Sequence, residues 1–215
     1  MIRLIYLHGF ASSPNGSKAT YLRNYFSQRE DVIFEAFSFT PTPRDFEFLT
    51  ISSMIGRLRQ YLLTADFPEP IMLIGSSMGG LVATNYVYRY GGVIQLLLLA
   101  PALYYLAVNR PDPDGEWAKT GMTPMFHYAY GDDVPLRYGL HLDGQNYATP
   151  APAVVPTTII HGRFDEVCLL PTSEAYAQAF PKWVTLISVE SDHGLTDQQS
   201  FIAAEIDRLL PHCTA

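Results

Sequence analysis

The chain has 215 residues, of which 48% are hydrophobic and 16% are charged, and its formal net charge is −7. This composition is typical of a compact globular protein, and the length suffices for one domain, residues 1–215, with a sizeable core. A net negative charge without a Lys/Arg cluster argues against nucleic acid as a partner and against anionic membrane surfaces.

The sequence also argues against export and membrane insertion. Only four apolar residues separate Arg3 from His8, which is too few for the apolar core of a secretory signal. The longest apolar stretch, Val93 to Val108, is interrupted and too short to span a bilayer comfortably. Cys168 and Cys213 are the two cysteines and make no disulfide framework. We therefore expect a cytoplasmic protein with free thiols and no stable membrane insertion, and the oligomeric state stays open.

Short apolar runs alternate with helical patterns along the chain. The runs that predict strands are Ile2–Leu7, Val32–Phe37, Ile71–Ile74, Leu96–Ala100, Thr157–Ile160 and Val184–Val189. Four helices are predicted, and the third covers Leu81–Tyr90. The other three each have an apolar face: the first has Leu22, Tyr25 and Phe26, the second has Ile51, Ile55, Leu58 and Leu62, and the fourth has Ile202, Ile206 and Leu209. The alternation predicts an α/β fold, with a mainly parallel sheet of about six strands and helices on both faces.

The strongest functional signal is Gly75-Ser76-Ser77-Met78-Gly79, which follows a predicted strand and precedes a predicted helix. In that setting G-x-S-x-G is typical of a nucleophile elbow, a sharp strand-to-helix turn that exposes one serine. Glycine stands two residues before and two after because larger side chains would collide within the turn. The five-residue pattern alone could arise by chance, so the flanking elements carry the prediction that Ser77 is a nucleophile.

A serine hydrolase also needs two hydrogen-bond donors for the oxyanion of its tetrahedral intermediate. We expect the backbone N–H of Met78, the residue after the nucleophile, to be one of them. The loop after the first strand reads His8-Gly9-Phe10-Ala11, and the N–H of Phe10 would be the second donor. Taken alone, His8-Gly9 would indicate an ordinary turn. Its place after a strand and upstream of the elbow favours the oxyanion loop.

Candidates for the acid and the base follow the last two predicted strands. In folds with this elbow the acidic residue comes next in the chain and the histidine comes last. Asp165 follows the strand Thr157–Ile160, and His193 follows the final strand. His193 would take the proton from Ser77, and Asp165 would fix the tautomer of that histidine.

Four neighbouring residues are weaker candidates. Glu166 and Asp192 are adjacent to the preferred acid and base, and adjacent residues on an extended loop usually point elsewhere. His161 is expected to support the loop after its strand, and Cys168 to be a small buried apolar residue.

Two N-terminal segments carry a resemblance to a known family. With Tyr6-Leu7-His8-Gly9-Phe10-Ala11-Ser12-Ser13-Pro14, Ser17-Lys18-Ala19 and Gly75-Ser76-Ser77-Met78-Gly79-Gly80, the chain resembles the YqiA-like (UPF0227) small bacterial esterases of the α/β-hydrolase superfamily. The resemblance implies an α/β-hydrolase fold and hydrolysis of small acyl esters or thioesters without a cofactor. It does not name the physiological substrate.

The segment from Leu103 to Val155 breaks the alternation of strands and helices. It is too long for an ordinary loop, so we expect an insertion at about residues 104–155 with short helices of its own. By analogy with related folds, it would cap the active site. Aromatic and methionine side chains of the insertion would suit an apolar acyl chain or form its own small core: Trp117, Met122, Met125 and Phe126.

Alternatives to an esterase or thioesterase stay open. A peptidase, a lactonase, a C–C bond hydrolase or a cofactor-free haloperoxidase would use the same three residues. A non-catalytic binding protein on the same scaffold is a different class, and the intact Ser77, Asp165 and His193 argue against it. The sequence has no metal-ligand spacing, dinucleotide fingerprint or phosphate loop, so we expect neither a metal nor a cofactor.

Overall fold

Strands and helices alternate through residues 1–105 and 115–210, which the computed structural model describes. In chain order the strands are β1 Ile2–Leu7, β2 Val32–Phe37, β3 Ile71–Ser76, β4 Gln95–Leu99, β5 Met122–His127, β6 Asp132–Arg137, β7 Thr157–Gly162 and β8 Val184–Val189. The helices are α1 Ser17–Phe26, α2 Pro43–Glu47, α3 Ile51–Ala65, α4 Met78–Tyr90, α5 Glu116–Thr120, α6 Gly139–Gly144, α7 Leu170–Ala179 and α8 Gln199–Leu209.

The central sheet has six strands in the order β2-β1-β3-β4-β7-β8, and every neighbouring pair is parallel. This confirms the predicted sheet. The chain begins at β1, adds β2 on one side and then continues with β3 on the other. The order therefore reverses between β1 and β3. In open α/β sheets, ligands bind outside the carboxyl ends of the strands at such a reversal.

Both faces of the sheet are covered by helices. Ile5 and Leu7 of β1 lie in one apolar cluster together with residues of α3 and α4. Leu4 and Tyr6 point to the opposite face and pack with residues of α1 and α8. Successive residues of a strand face opposite sides, so a strand buried on both faces can be apolar at successive positions, as β1 is from Leu4 to Leu7.

Helix α1 differs from its prediction at one position. Leu22 and Phe26 are buried as expected, but 42% of Tyr25 is exposed. The Tyr25 hydroxyl donates to Asp207 of α8 at 2.6 Å, so this side chain lies along the surface between two helices. The prediction that Tyr25 belongs to the buried face was wrong. A tyrosine at the edge of a helix can pack its ring on the surface while its hydroxyl binds an exposed polar partner.

The segment between β4 and β7 contains the short helices α5 and α6 and also a hairpin that was not predicted. Strands β5 and β6 pair antiparallel, with Pro124 opposite Pro135. Gly131 closes the turn with a φ of 68°, a left-handed conformation that suits glycine. Proline donates no hydrogen bond to a neighbouring strand, so a proline within a run argues against a strand in sequence analysis. The prolines of this hairpin explain why it was not predicted. Residues 106–114 of the expected insertion, and also Cys213, lie outside the described residues.

A membrane span needs a helix of sufficient length and apolar character. Within residues 1–105 and 115–210, no helix is long and apolar enough to cross a membrane.

Candidate active site

Three polar side chains lie just beyond the carboxyl ends of three strands of the parallel sheet. Ser77 follows β3, Asp165 follows β7 and His193 follows β8. Parallel strands end at the same edge of a sheet, so their following loops meet there. The structure brings together the three residues that the sequence predicted.

Ser77 has a strained backbone that the surrounding structure holds in place. Its φ of 52° and ψ of −119° lie in a region that non-glycine residues rarely adopt. The N–H of Ser77 donates to the carbonyl of Leu99 at 2.9 Å. The carbonyl of Ser77 accepts from Gly80 at 2.9 Å and from Ala102 at 3.0 Å. These three bonds keep the side chain projecting from the sheet edge.

The two glycines of the motif are required by close backbone contacts. A Cβ on Gly75 would lie 2.7 Å from the Cα of Gly80, and a Cβ on Gly79 would lie 2.8 Å from the carbonyl oxygen of His8. Both separations are shorter than real Cβ contacts allow. Larger residues at either position would therefore push the helix α4 away from the sheet.

Ser77, His193 and Asp165 form one hydrogen-bonded chain. The Nε2 atom of His193 lies 3.1 Å from the hydroxyl of Ser77, and Nδ1 lies 2.8 Å from Oδ2 of Asp165. A carboxylate only accepts, so Nδ1 of His193 carries the proton of that bond. The other ring nitrogen is then free to accept the proton of the Ser77 hydroxyl.

Asp165 is almost fully buried and is held in its ionised form. Its Oδ1 accepts the backbone N–H groups of Val167 at 2.8 Å and of Cys168 at 2.7 Å. Burial alone would raise the pKa of Asp165, but hydrogen bonds from His161, His193 and the Cys168 N–H outweigh it and lower that pKa. A permanent negative charge therefore faces His193.

His161 is a second histidine in contact with this carboxylate. It is fully buried, with Nε2 at 2.6 Å from the carbonyl of Cys168 and at 3.2 Å from Oδ2 of Asp165. Its Nδ1 lies 2.8 Å from the hydroxyl of Ser173 in α7. Sequence analysis expected His161 to support this loop but missed the contact with Asp165. A histidine at a strand end, four residues before an acidic residue, was the available signal.

The weaker candidates lie outside the hydrogen-bonded chain. Glu166 and Asp192 are exposed, and Asp192 accepts the N–H of Gly194 at 2.8 Å. Cys168 is fully buried beside the Ser77 hydroxyl, and burial raises the pKa of its thiol to about 12. A protonated, inaccessible thiol is a poor nucleophile.

The loop after β1 runs next to Ser77. A Cβ on Gly9 would lie only 3.2 Å from the Cβ of Ser77, so only a small residue permits this approach. Phe10 and Met78 both line the cavity that contains Ser77. Neither backbone N–H has a hydrogen-bond partner among the described residues. Met78 is the first residue of α4, where the N–H has no partner inside the helix.

His8 is buried in this loop as a neutral imidazole with both nitrogens used. Its Nδ1 donates to the carbonyl of Gly9 at 2.8 Å, and Nε2 accepts the N–H of Phe39 at 3.1 Å. Burial lowers the pKa of His8 to about 4. Nearby His127 also lowers this pKa, whereas the hydrogen bond to Gly9 acts in the opposite direction. Protonation would place a second donor against the N–H of Phe39.

We expect the free energy of unfolding to fall as the pH decreases from about 6.5 to about 4.5, because the unfolded chain binds a proton at His8 that the folded chain excludes. The difference between the ordinary histidine pKa of 6.5 and the pKa of about 4 in the folded chain corresponds to a change of roughly 3 kcal/mol in the free energy of unfolding. Urea unfolding of the wild type and of His8→Gln across this range measures the effect. The variant should show a shallower pH dependence, and equal slopes would contradict the assignment.

The cavity at Ser77 has a volume of about 580 Å³. None of the four insertion residues predicted to bind the acyl chain lines it. Trp117 is buried and donates to the carbonyl of Leu136 at 3.0 Å, and Met125 packs against the core. Met122 and Phe126 are 44% and 49% exposed.

Among the described residues of the insertion, Tyr128 in the hairpin turn reaches the cavity. Its backbone N–H donates to the carbonyl of Ala11 at 3.0 Å, which fastens the turn to the loop after β1. Among the described residues, no group of three or more His, Cys, Asp or Glu side chains could hold a metal ion.

A parallel sheet of this order, with a serine elbow after β3 and a histidine after the last strand, is the α/β-hydrolase fold. The chain belongs to the family described as Uncharacterised protein family (UPF0227), whose sequence model matches residues 3–209.

Solved structures share the fold at low sequence identity. Alpha/beta hydrolase domain-containing protein 10 from mouse matches with a TM-score of 0.75 at 19% identity, over 96% of this chain and 88% of that chain. A protein from Xanthomonas campestris, described as a hydrolase of the alpha/beta superfamily, matches with a TM-score of 0.65 at 24% identity, over 98% and 100%. Est1E from Butyrivibrio proteoclasticus, with ferulic acid bound, matches with a TM-score of 0.74 at 16% identity, over 97% and 88%.

Proposed function

We propose that the protein is a serine hydrolase that cleaves acyl esters or acyl thioesters through an acyl-enzyme on Ser77. The observation that carries this proposal is the hydrogen-bonded chain from the Ser77 hydroxyl through His193 to the buried Asp165 carboxylate. A strained elbow, an adjacent imidazole and an oriented acid are the parts that activate a serine.

In the proposed first half-reaction, Nε2 of His193 takes the hydroxyl proton while the oxygen of Ser77 bonds to the acyl carbon. The N–H groups of Phe10 and Met78 stabilise the oxyanion that forms. The imidazolium is stabilised by the ionised Asp165 and returns its proton to the leaving alcohol or thiol. Water then attacks the acyl-enzyme by the reverse route, with His193 again as base, and the free acid leaves.

We also propose that the expected insertion at about residues 104–155 caps the site with the part of it that the structure describes. Support comes from Tyr128, which lines the cavity, and from the hydrogen bond that holds its turn to Ala11. The names of several structural neighbours, such as the esterase EaEST from Exiguobacterium antarcticum and Est1E, agree with ester hydrolysis as the chemistry.

Hydrolysis of two matched substrate series tests this proposal: 4-nitrophenyl esters and coenzyme A thioesters of the same acyl chains. We expect turnover in at least one series, and the ratio of kcat/KM at equal chain length separates an esterase from a thioesterase. Folded protein that turns over no member of either series would contradict the proposed reaction.

A further inference from the structure

The cavity at Ser77 has a cationic side chain in its lining. Apolar side chains such as Phe10, Met78 and Val167 line part of it. The rest of the lining includes Lys18 and several hydroxyl-bearing residues, Ser12, Ser13, Ser17 and Thr196. The two kinds of lining share one space with the nucleophile, so one substrate molecule could contact both.

Lys18 is half-buried and its ammonium group is only partly engaged. It donates one hydrogen bond, to the backbone carbonyl of Gly194, the residue after His193. An ammonium group has three N–H donors, and the other two make no hydrogen bond to residues that the structure describes. The described residues place no carboxylate within ion-pair distance of Lys18, in contrast to surface pairs such as Arg163 with Glu190.

The charges around Lys18 come from the loops after β7 and β8. Burial lowers the pKa of Lys18, while the carboxylates of Asp192 and Asp165 act in the opposite direction. Asp165 is already bonded to two histidines, and Asp192 accepts the N–H of Gly194. Both carboxylates therefore stabilise the ammonium group from beyond ion-pair distance, and within the described residues neither contacts its N–H donors directly.

A partly desolvated cation without an ion-paired carboxylate is costly for a protein to keep. The cost is offset when a ligand brings the opposite charge into the same cavity. Lys18 is thus placed to select among substrates of Ser77 by their charge.

We propose that Lys18 is a specificity-determining residue that binds an anionic group, a carboxylate or a phosphate, carried by the substrate that is hydrolysed at Ser77. This inference rests on the proposed function. It narrows the substrate class from acyl esters and thioesters in general to those that carry an anionic oxygen group.

Three 4-nitrophenyl esters of the same chain length provide the test. They are the hexanoate, which is neutral, the half-ester of adipate, which ends in a carboxylate, and the 6-phosphonohexanoate, which ends in a phosphonate as a phosphate probe. We expect the wild type to have a higher kcat/KM for at least one anionic ester than for the hexanoate. The better anionic ester separates the carboxylate from the phosphate source.

Substitution of Lys18 is expected to remove this preference selectively. Lys18→Met keeps the apolar stem and removes the charge, and should lower the anionic-to-neutral ratio of kcat/KM by about 10- to 100-fold. Lys18→Arg should retain most of the ratio. Lys182→Met, a substitution of an exposed lysine outside the proposed cap and outside the cavity lining, is the matched control and should leave the ratio unchanged.

The outcomes separate the two proposals. A wild-type protein that hydrolyses none of the esters contradicts the proposed function. Hydrolysis of the hexanoate at least as fast as both anionic esters overturns the inference about Lys18 without any variant. An equal loss for neutral and anionic esters in Lys18→Met also overturns it, because Lys18 would then act only through its bond to Gly194 in the loop of His193.

Discussion

Ser77→Ala is expected to lower kcat for ester hydrolysis by roughly 10⁴- to 10⁶-fold, with little change in substrate binding. In the proposed reaction the hydroxyl oxygen is the atom that bonds to the acyl carbon, and alanine has no atom to replace it. Loss of the acyl-enzyme leaves only the oxyanion donors and the binding cavity, which still accelerate hydrolysis weakly. Initial rates on the best substrate of the two series measure the effect.

A matched control distinguishes loss of chemistry from loss of folding. Ser200 is an exposed serine near the start of α8 and does not line the cavity, so Ser200→Ala should keep the wild-type kcat. Ser77→Ala should keep the wild-type melting temperature within a few degrees, because the backbone bonds to Leu99, Gly80 and Ala102 involve no side-chain atom of Ser77. A Ser77→Ala variant with wild-type turnover would show that Ser77 is not the nucleophile.

His193→Ala is expected to lower kcat by a similar factor, roughly 10⁴- to 10⁶-fold. In the proposed reaction Nε2 of His193, which lies 3.1 Å from the Ser77 hydroxyl, accepts its proton. The two residues would then act as one unit, so the double variant Ser77→Ala/His193→Ala should be no slower than either single variant by more than a few-fold. Kinetics of the four proteins, the wild type included, form the cycle that measures this coupling.

His141 provides the control for this substitution. It lies in α6 and does not line the cavity, so His141→Ala should retain wild-type turnover. Additive losses from the two active-site substitutions would show that His193 does not act on Ser77.

The fold was predictable because its elements have simple patterns. A parallel strand buried on both faces contains an unbroken apolar run, and Leu4–Leu7 of β1, Ile71–Ile74 of β3 and Leu96–Leu99 of β4 stand out for that reason. The elbow was partly predictable from local contacts. A Cβ on Gly75 would meet the backbone of Gly79 and Gly80 in the same turn, and this contact fixes the spacing of the motif. Gly79 instead meets the backbone of Leu7 and His8, so its need for glycine comes from a contact that is distant in the sequence.

Features that depend on distant contacts were not predictable. The hairpin of β5 and β6 has prolines at paired positions, and its alternation of apolar and polar residues is weak. The acyl-pocket residues predicted in the insertion do not line the cavity, because an apolar side chain such as Trp117 packs equally well against the core. Lys18 reaches Gly194 across 176 positions of the chain, and no local pattern records that contact.

Covalent labelling with a fluorophosphonate, located by mass spectrometry of the digested protein, tests the central claim most directly. We predict one adduct, on the peptide that contains Ser77, at a rate that falls sharply in His193→Ala, and no adduct in Ser77→Ala. A folded wild-type protein that stays unlabelled, or that carries the adduct on another residue, would contradict the assignment of Ser77 as an activated nucleophile.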